Sequence, residues 1–159
     1  MSMEVRRSAR GVILNPKGQI LLFKFVFERS HGQKVLWITP GGGLKAGEDY
    51  AGALMREVGE ETGFALKTVG PWIWTRGIPI EGVDPRFISY ERYFLVKPGD
   101  IEVSIRNFTA TEKNMFKDYK WWNIDDILAS DEEFAPPNIA ELVRDLLRGN
   151  VPATPMDID

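Results

Sequence analysis

The chain has 159 residues, 43% of them hydrophobic and 27% charged, with a formal net charge of -3 and a pI near 5.3; this size and balance predict one soluble domain around a single core. It holds no cysteine, which excludes disulfides, thiolate zinc sites and cysteine nucleophiles, so any metal must be held by oxygen or by the lone His31. The acidic balance argues against a nucleic-acid partner, and with neither a leader nor a bilayer-length apolar run the sequence predicts no membrane partner and a cytoplasmic location.

Val5 to Leu14 and Gln19 to Phe27 are extended, apolar-rich runs separated by Asn15-Pro16-Lys17-Gly18, which predicts a β-hairpin. A short strand from Val35 to Thr39 follows a polar loop containing His31, itself read as a loop residue, and ends at Pro40-Gly41-Gly42-Gly43. Neither a helix nor a central strand tolerates that run. From Asp49 to Thr62 the apolar residues Ala51, Leu54, Met55 and Val58 fall at i, i+3, i+4 and i+7, the stripe of an amphipathic helix, and Gly63 stands where a C′ glycine belongs. Phe64 to Thr75 and Phe87 to Val96 read as strands flanking a Gly- and Pro-rich loop from Gly77 to Pro85. Asp118 to Trp122 is a further strand, Ile124 to Leu128 a short helix capped by Asn123, and Ile139, Leu142, Val143, Leu146 and Leu147 mark a last helix closed by Gly149. Residues 150–159 read as a polar tail. Strands interleaved with helices predict an α/β fold with a mixed sheet.

On an ideal helix Glu57, Glu60 and Glu61 project within an arc of roughly 100 degrees. Arg56 neighbours Glu60 at i+4 and supplies one compensating charge, whereas a divalent cation satisfies all three carboxylates, and magnesium suits such hard oxygen donors. Read alone, the triplet is also the pattern of a solvated helix face. The glycines at 41 to 43 let backbone groups approach a ligand closely, so that a carbonyl can join a metal shell; read alone, they equally make a sharp turn.

The combination carries more than its parts. Gly42, five residues, Glu48, seven residues, Arg56-Glu57-Val58, one residue, Glu60-Glu61, one residue, Gly63-Phe64 resembles the signature of the Nudix (MutT-like) hydrolases at each specified position. The order of strands and helices from Val5 to Arg148 is similar to that family's α/β/α sandwich, a mixed, largely hairpin-connected sheet between helices. The resemblance implies that Glu57, Glu60 and Glu61, with the carbonyl of Gly42, hold magnesium or manganese, that Arg56 orients a motif glutamate, and that Glu48 supports the site. It implies water attack on a phosphorus of a diphosphate in a small nucleotide-like substrate, a nucleoside diphosphate-linked molecule. A catalytically inactive ligand sensor with the same fold is the alternative. The general base is either a motif glutamate or one in a later loop, for which Glu112 is the candidate; Thr109 and Glu112 also have the spacing of a capping box. For substrate contacts the sequence offers Arg10, Lys24, Arg76 and Arg92 as phosphate partners and Trp37, Trp72, Trp74 and Tyr93 as stacking platforms, though strand aromatics are commonly core. Pro79 has the downstream spacing of ADP-ribose pyrophosphatases. The lack of cysteine argues against the related isopentenyl diphosphate isomerases, and family relatives suggest a homodimer.

Overall fold

The computed structural model describes residues 4–29, 32–79, 87–99, 101, 103 and 116–159. Its described strands form two mixed sheets. In the first, β4 (Gly41–Gly43), β1 (Glu4–Ile13), β6 (Phe87–Val96), β5 (Trp72–Pro79) and β9 (Met156–Ile158) lie in that order; in the second, β7 (Phe116–Trp122), β2 (Ile20–Arg29), β3 (Gly32–Ile38) and β8 (Phe134–Ala135). Three helices, α1 (Tyr50–Thr62), α2 (Ile124–Ala129) and α3 (Ile139–Leu147), complete the described α/β architecture. None of them is long and apolar enough to cross a membrane.

The turn after β1 forms as the sequence predicts: the Asn15 side chain accepts from the amides of Lys17 and Gln19, and Gly18 takes φ 75. The strands it joins do not form the expected hairpin. They share one isolated bridge, Leu14 to Ile20, and then diverge into different sheets. Both edges of β1 are taken by other segments. β6 pairs with it in parallel from Glu4 to Ile13, and the glycine run occupies the other side, with Gly11 N donating to Pro40 O and Leu44 N to Arg7 O. Hydrophobic pattern and turn chemistry place the turn, but not the competition for β1's edges.

Because β1 and β2 alternate their side chains, they feed two cores. Ala9, Ile13, Leu21, Phe23 and Phe25 pack with Ala53, Leu54 and Val58 of α1; Val12, Ile20 and Leu22 pack with Trp74, Trp122 and Ile139, Val143 and Leu146 of α3. Burying a side chain such as Leu54 or Ile13 contributes about 2 kcal/mol, so α1 is held firmly against the sheets from one side. Its buried face is turned slightly from the sequence reading: Ala53 is fully buried while Ala51 and Met55 are half-buried. Leu147 of α3 is likewise outside the core, 45% exposed.

Two further expectations change. The run from 64 to 71 is irregular, and the strand begins only at Trp72; β5 has the aromatic and β-branched residues, whereas Gly70 and Pro71 interrupt the ladder. The polar tail contains β9, which adds to β5 in parallel register, Trp74 to Met156 through Arg76 to Ile158. Three ladder residues next to two prolines give too short a pattern for period-2 reasoning to detect.

Candidate active site

The loop and the helix that carry the motif meet through backbone geometry. Asp49 caps α1 by accepting from Gly52 N at 2.7 Å, and Gly63, at φ 74, closes it by donating to Gly59 O. At the other wall, β4 pairs Gly42 with Ala9 and Gly41 with Arg10. Gly41 has φ 141, and a Cβ there would strike the backbone of Ala9 and Arg10. At Gly42 the missing side chain leaves room for something else: a Cβ would lie 2.5 Å from Cδ of Glu57 and 2.6 Å from its Oε1. The Glu57 carboxylate therefore rests on the glycine.

Glu61 is more deeply placed than the sequence suggests. It follows Leu54 and Val58 along the helix's buried face and is 3% exposed. Its Oε1 accepts from Gly41 N at 2.8 Å, so a motif carboxylate replaces a β-ladder partner for a buried amide. Glu60 faces outward, its side chain 35% exposed.

Arg56 ties the acids together. Its Nε and Nη2 donate to the two oxygens of Glu48 at 2.7 and 2.9 Å, and Nη2 also donates to the Gly43 carbonyl at 2.9 Å. Nη1 donates to Glu57 at 2.9 Å and lies 3.4 Å from Glu60. The fork-to-fork bond with Glu48 is the strong form of this contact. It holds the Glu48 carboxyl down from an ordinary 4.5 to about 2, through the bonds from Arg56 first and the Lys45 amide second, and raises the Arg56 guanidinium. A depressed carboxylate contributes stability above its ordinary value that is lost as pH falls through its folded value. Glu48→Gln should thus melt a few degrees below wild type at neutral pH, and the two melting curves should converge between pH 4.5 and about 2. A gap that does not shrink as pH falls from 4.5 toward 2 would show that the side chain's size, not its charge, matters.

As they stand, no three acidic or imidazole side chains among the described residues converge into a ready ion cage: Glu57 and Glu60 turn to Arg56 and Glu61 to Gly41. Glu112 and His31 lie outside the described residues.

Between the two sheets opens a cleft of about 640 Å³, large enough for a small-molecule ligand. Phe27, Leu36, Ile38 and Phe134 supply its apolar walls, and Arg10, Arg76 and Glu91 lie among its polar lining. Arg10 links it to the motif loop by donating to the carbonyls of Thr39 and Gly41 at 3.2 and 3.3 Å. Of the other basic candidates, Lys24 pairs with Glu132 at 3.1 Å, and the Arg92 guanidinium stacks 4.1 Å over Tyr50 and 3.9 Å over Trp72. Neither lines the cleft. Trp37 and Trp74 are core residues, 3% and 1% exposed. Trp72 is half-buried against Arg92, and Tyr93 lines the cleft with its hydroxyl on Glu91. Pro79 lines the cleft as well. The sequence reading missed Glu91. It is an ordinary glutamate in a strand, and only the register of three strands brings cations to it.

Comparison with known proteins agrees with this architecture. The model of the NUDIX domain matches residues 4–146. An RNA pyrophosphohydrolase of Wolbachia pipientis subsp. Culex pipiens is 31% identical over 134 residues, 78% of this chain and 78% of that protein. Two solved structures share the fold: the MutT protein from Methanosarcina mazei, with TM-score 0.66 and 21% identity over 94% of this chain and 98% of that one, and a C. elegans Ap4A hydrolase, with TM-score 0.66 and 19% identity over 91% and 98%. With the family model spanning the motif, every described strand but β9, and most of α3, the chain belongs to the Nudix family of pyrophosphohydrolases.

Proposed function

We infer that this enzyme hydrolyses a diphosphate linkage in a nucleoside diphosphate-linked small molecule, by attack of water on phosphorus, with magnesium or manganese held by Glu57, Glu60, Glu61 and the Gly42 carbonyl. The observation that carries the reading is the seat of the Glu57 carboxylate on the bare Cα of Gly42, which joins the glycine loop to the glutamate helix. The donor set fits such an ion in kind, since every candidate ligand is a carboxylate or carbonyl oxygen. When bound, the ion would polarise the phosphoryl oxygens and neutralise the charge that develops on them.

The chain's own groups supply the rest. Three contacts of Arg56, two to Glu48 and one to Gly43, do not involve the proposed ligands, so the guanidinium stays anchored while Glu57 and Glu60 turn toward a cation. That is the supporting role of Glu48. In the cleft, the apolar walls suit a nucleoside, while Arg10 and Arg76 offer guanidinium donors to its phosphates. The proton of the attacking water goes to Glu57 or to Glu112, and comparing Glu57→Gln with Glu112→Gln identifies which.

The test is a screen of nucleoside triphosphates, nucleotide sugars, ADP-ribose, dinucleotide polyphosphates and NADH with magnesium or manganese, reading phosphate or nucleotide release. The RNA pyrophosphohydrolase and Ap4A hydrolase relatives add RNA and Ap4A to the panel. Cleavage of at least one compound is expected. Tight binding of one compound with cleavage of none would replace the enzyme with a ligand sensor.

A further inference from the structure

Glu91 stands on β6, outside the motif. Its carboxylate, in a residue 6% exposed, collects three donors: Arg10 Nε at 2.9 Å on one oxygen, and Arg76 Nη1 at 3.4 Å and the Tyr93 hydroxyl at 3.0 Å on the other. Strand register assembles them. Arg76 is the cross-strand neighbour of Glu91 on β5 and Ser8 its neighbour on β1, while Arg10 and Tyr93 lie two residues further along the same faces. A carboxylate taken this far from water is costly unless donors replace its hydration. Burial pushes the Glu91 carboxyl up, but Arg10, then Arg76 and Tyr93, outweigh it and hold the group below its ordinary value.

Arg10 passes this constraint on. With Nε on Glu91, its Nη1 reaches the carbonyls of Thr39 and Gly41, and the Gly41 amide donates to Glu61. Glu91, Arg10, Gly41 and Glu61 thus form one hydrogen-bonded chain from the sheet to the motif helix. We propose that Glu91 is a positioning residue for the motif: by fixing Arg10 it braces the Gly41 loop and so sets Glu61, the deepest motif carboxylate. This rests on the proposed hydrolysis only for its effect on turnover.

The donor count makes the proposal sharp. A glutamine at 91 has one acceptor oxygen where the carboxylate has two, and its amide nitrogen must face a donor, either Arg10 or the pair Arg76 and Tyr93. A lysine at 10 carries its donors on a single nitrogen and cannot span Glu91 and two carbonyls as the planar fork does.

The decisive measurement is amide hydrogen exchange at Gly41, read by NMR on the metal-free protein, beside steady-state hydrolysis of the compound cleaved fastest in the screen above. Glu91→Gln is expected to speed Gly41 exchange and to lower kcat, each by about tenfold, while amides of α3 exchange at the wild-type rate. Val143→Ala, a truncation in the α3 core, is expected to lower Tm yet leave Gly41 exchange and kcat within about twofold of wild type. Should Glu91→Gln fail to fold, Arg10→Lys carries the same expectation. Unchanged exchange at Gly41 in the folded variant, or a uniform rise across all strands, overturns the proposal. Should wild type cleave nothing, the functional reading falls while the exchange measurement still decides whether Glu91 braces the loop.

Discussion

Glu60→Gln and Glu61→Gln are each expected to lower kcat by roughly two to three orders of magnitude, the usual scale for removing a group that stabilises developing charge, and excess chelator is expected to abolish wild-type turnover. Both variants should stay folded, for different reasons. Glu60 meets Arg56 only at 3.4 Å on a partly exposed surface, a contact worth well under about 1 kcal/mol. Glu61 is buried, but a glutamine keeps an oxygen with which to accept from Gly41 N, so the link between helix and loop survives the loss of charge. Equal unfolding midpoints with a large drop in kcat would separate a chemical role from a structural one. Turnover within twofold of wild type for both variants, or turnover persisting after divalent ions are removed, would take the cation out of the reaction.

The contrast between these two glutamates shows how far the sequence reaches. The spacing of Glu57, Glu60 and Glu61 places them on one helical turn and a half, and Gly63 closes that helix where the sequence puts a C′ glycine, while Asp49, read as its first residue, is its cap. Helix α1 and the span of α3 were legible because each carries a long periodic pattern with local stop signals, and strand β6 because aromatic and β-branched residues fill it. What was not legible depends on pairing between distant segments. That β1 would take β6 and the glycine run as neighbours instead of β2 follows from contacts across about eighty residues of chain for β6 and a little over thirty for the glycine run. The same holds for Glu91: nothing local distinguishes it from a solvent-facing strand residue, and it becomes a buried acceptor only when β1, β5 and β6 align. Glu61 is an intermediate case. Its place in the motif was readable, but its burial follows from Gly41 needing an acceptor that the three-residue strand β4 does not supply.

Adjacent glycines in that strand should respond oppositely to the same added methyl group. Gly41→Ala places its Cβ against the carbonyl of Ala9 and the Cα of Arg10, both backbone, at a φ of 141 that L residues avoid. The β1 to β4 pairing must break, at a cost on the order of 3 kcal/mol. Gly42→Ala meets only the far end of a flexible side chain, the Glu57 carboxyl at 2.5 Å, which moves aside by rotation. Stability should then change by about 1 kcal/mol or less, while kcat falls by roughly two orders of magnitude because the carboxylate is pushed off its seat over Gly42. Measuring Tm and kcat on both variants tests the assignment of Gly42 as the floor of the site. A Gly42→Ala enzyme that turns over normally would mean that Glu57 does its work elsewhere, since in that variant its carboxylate has no room over residue 42.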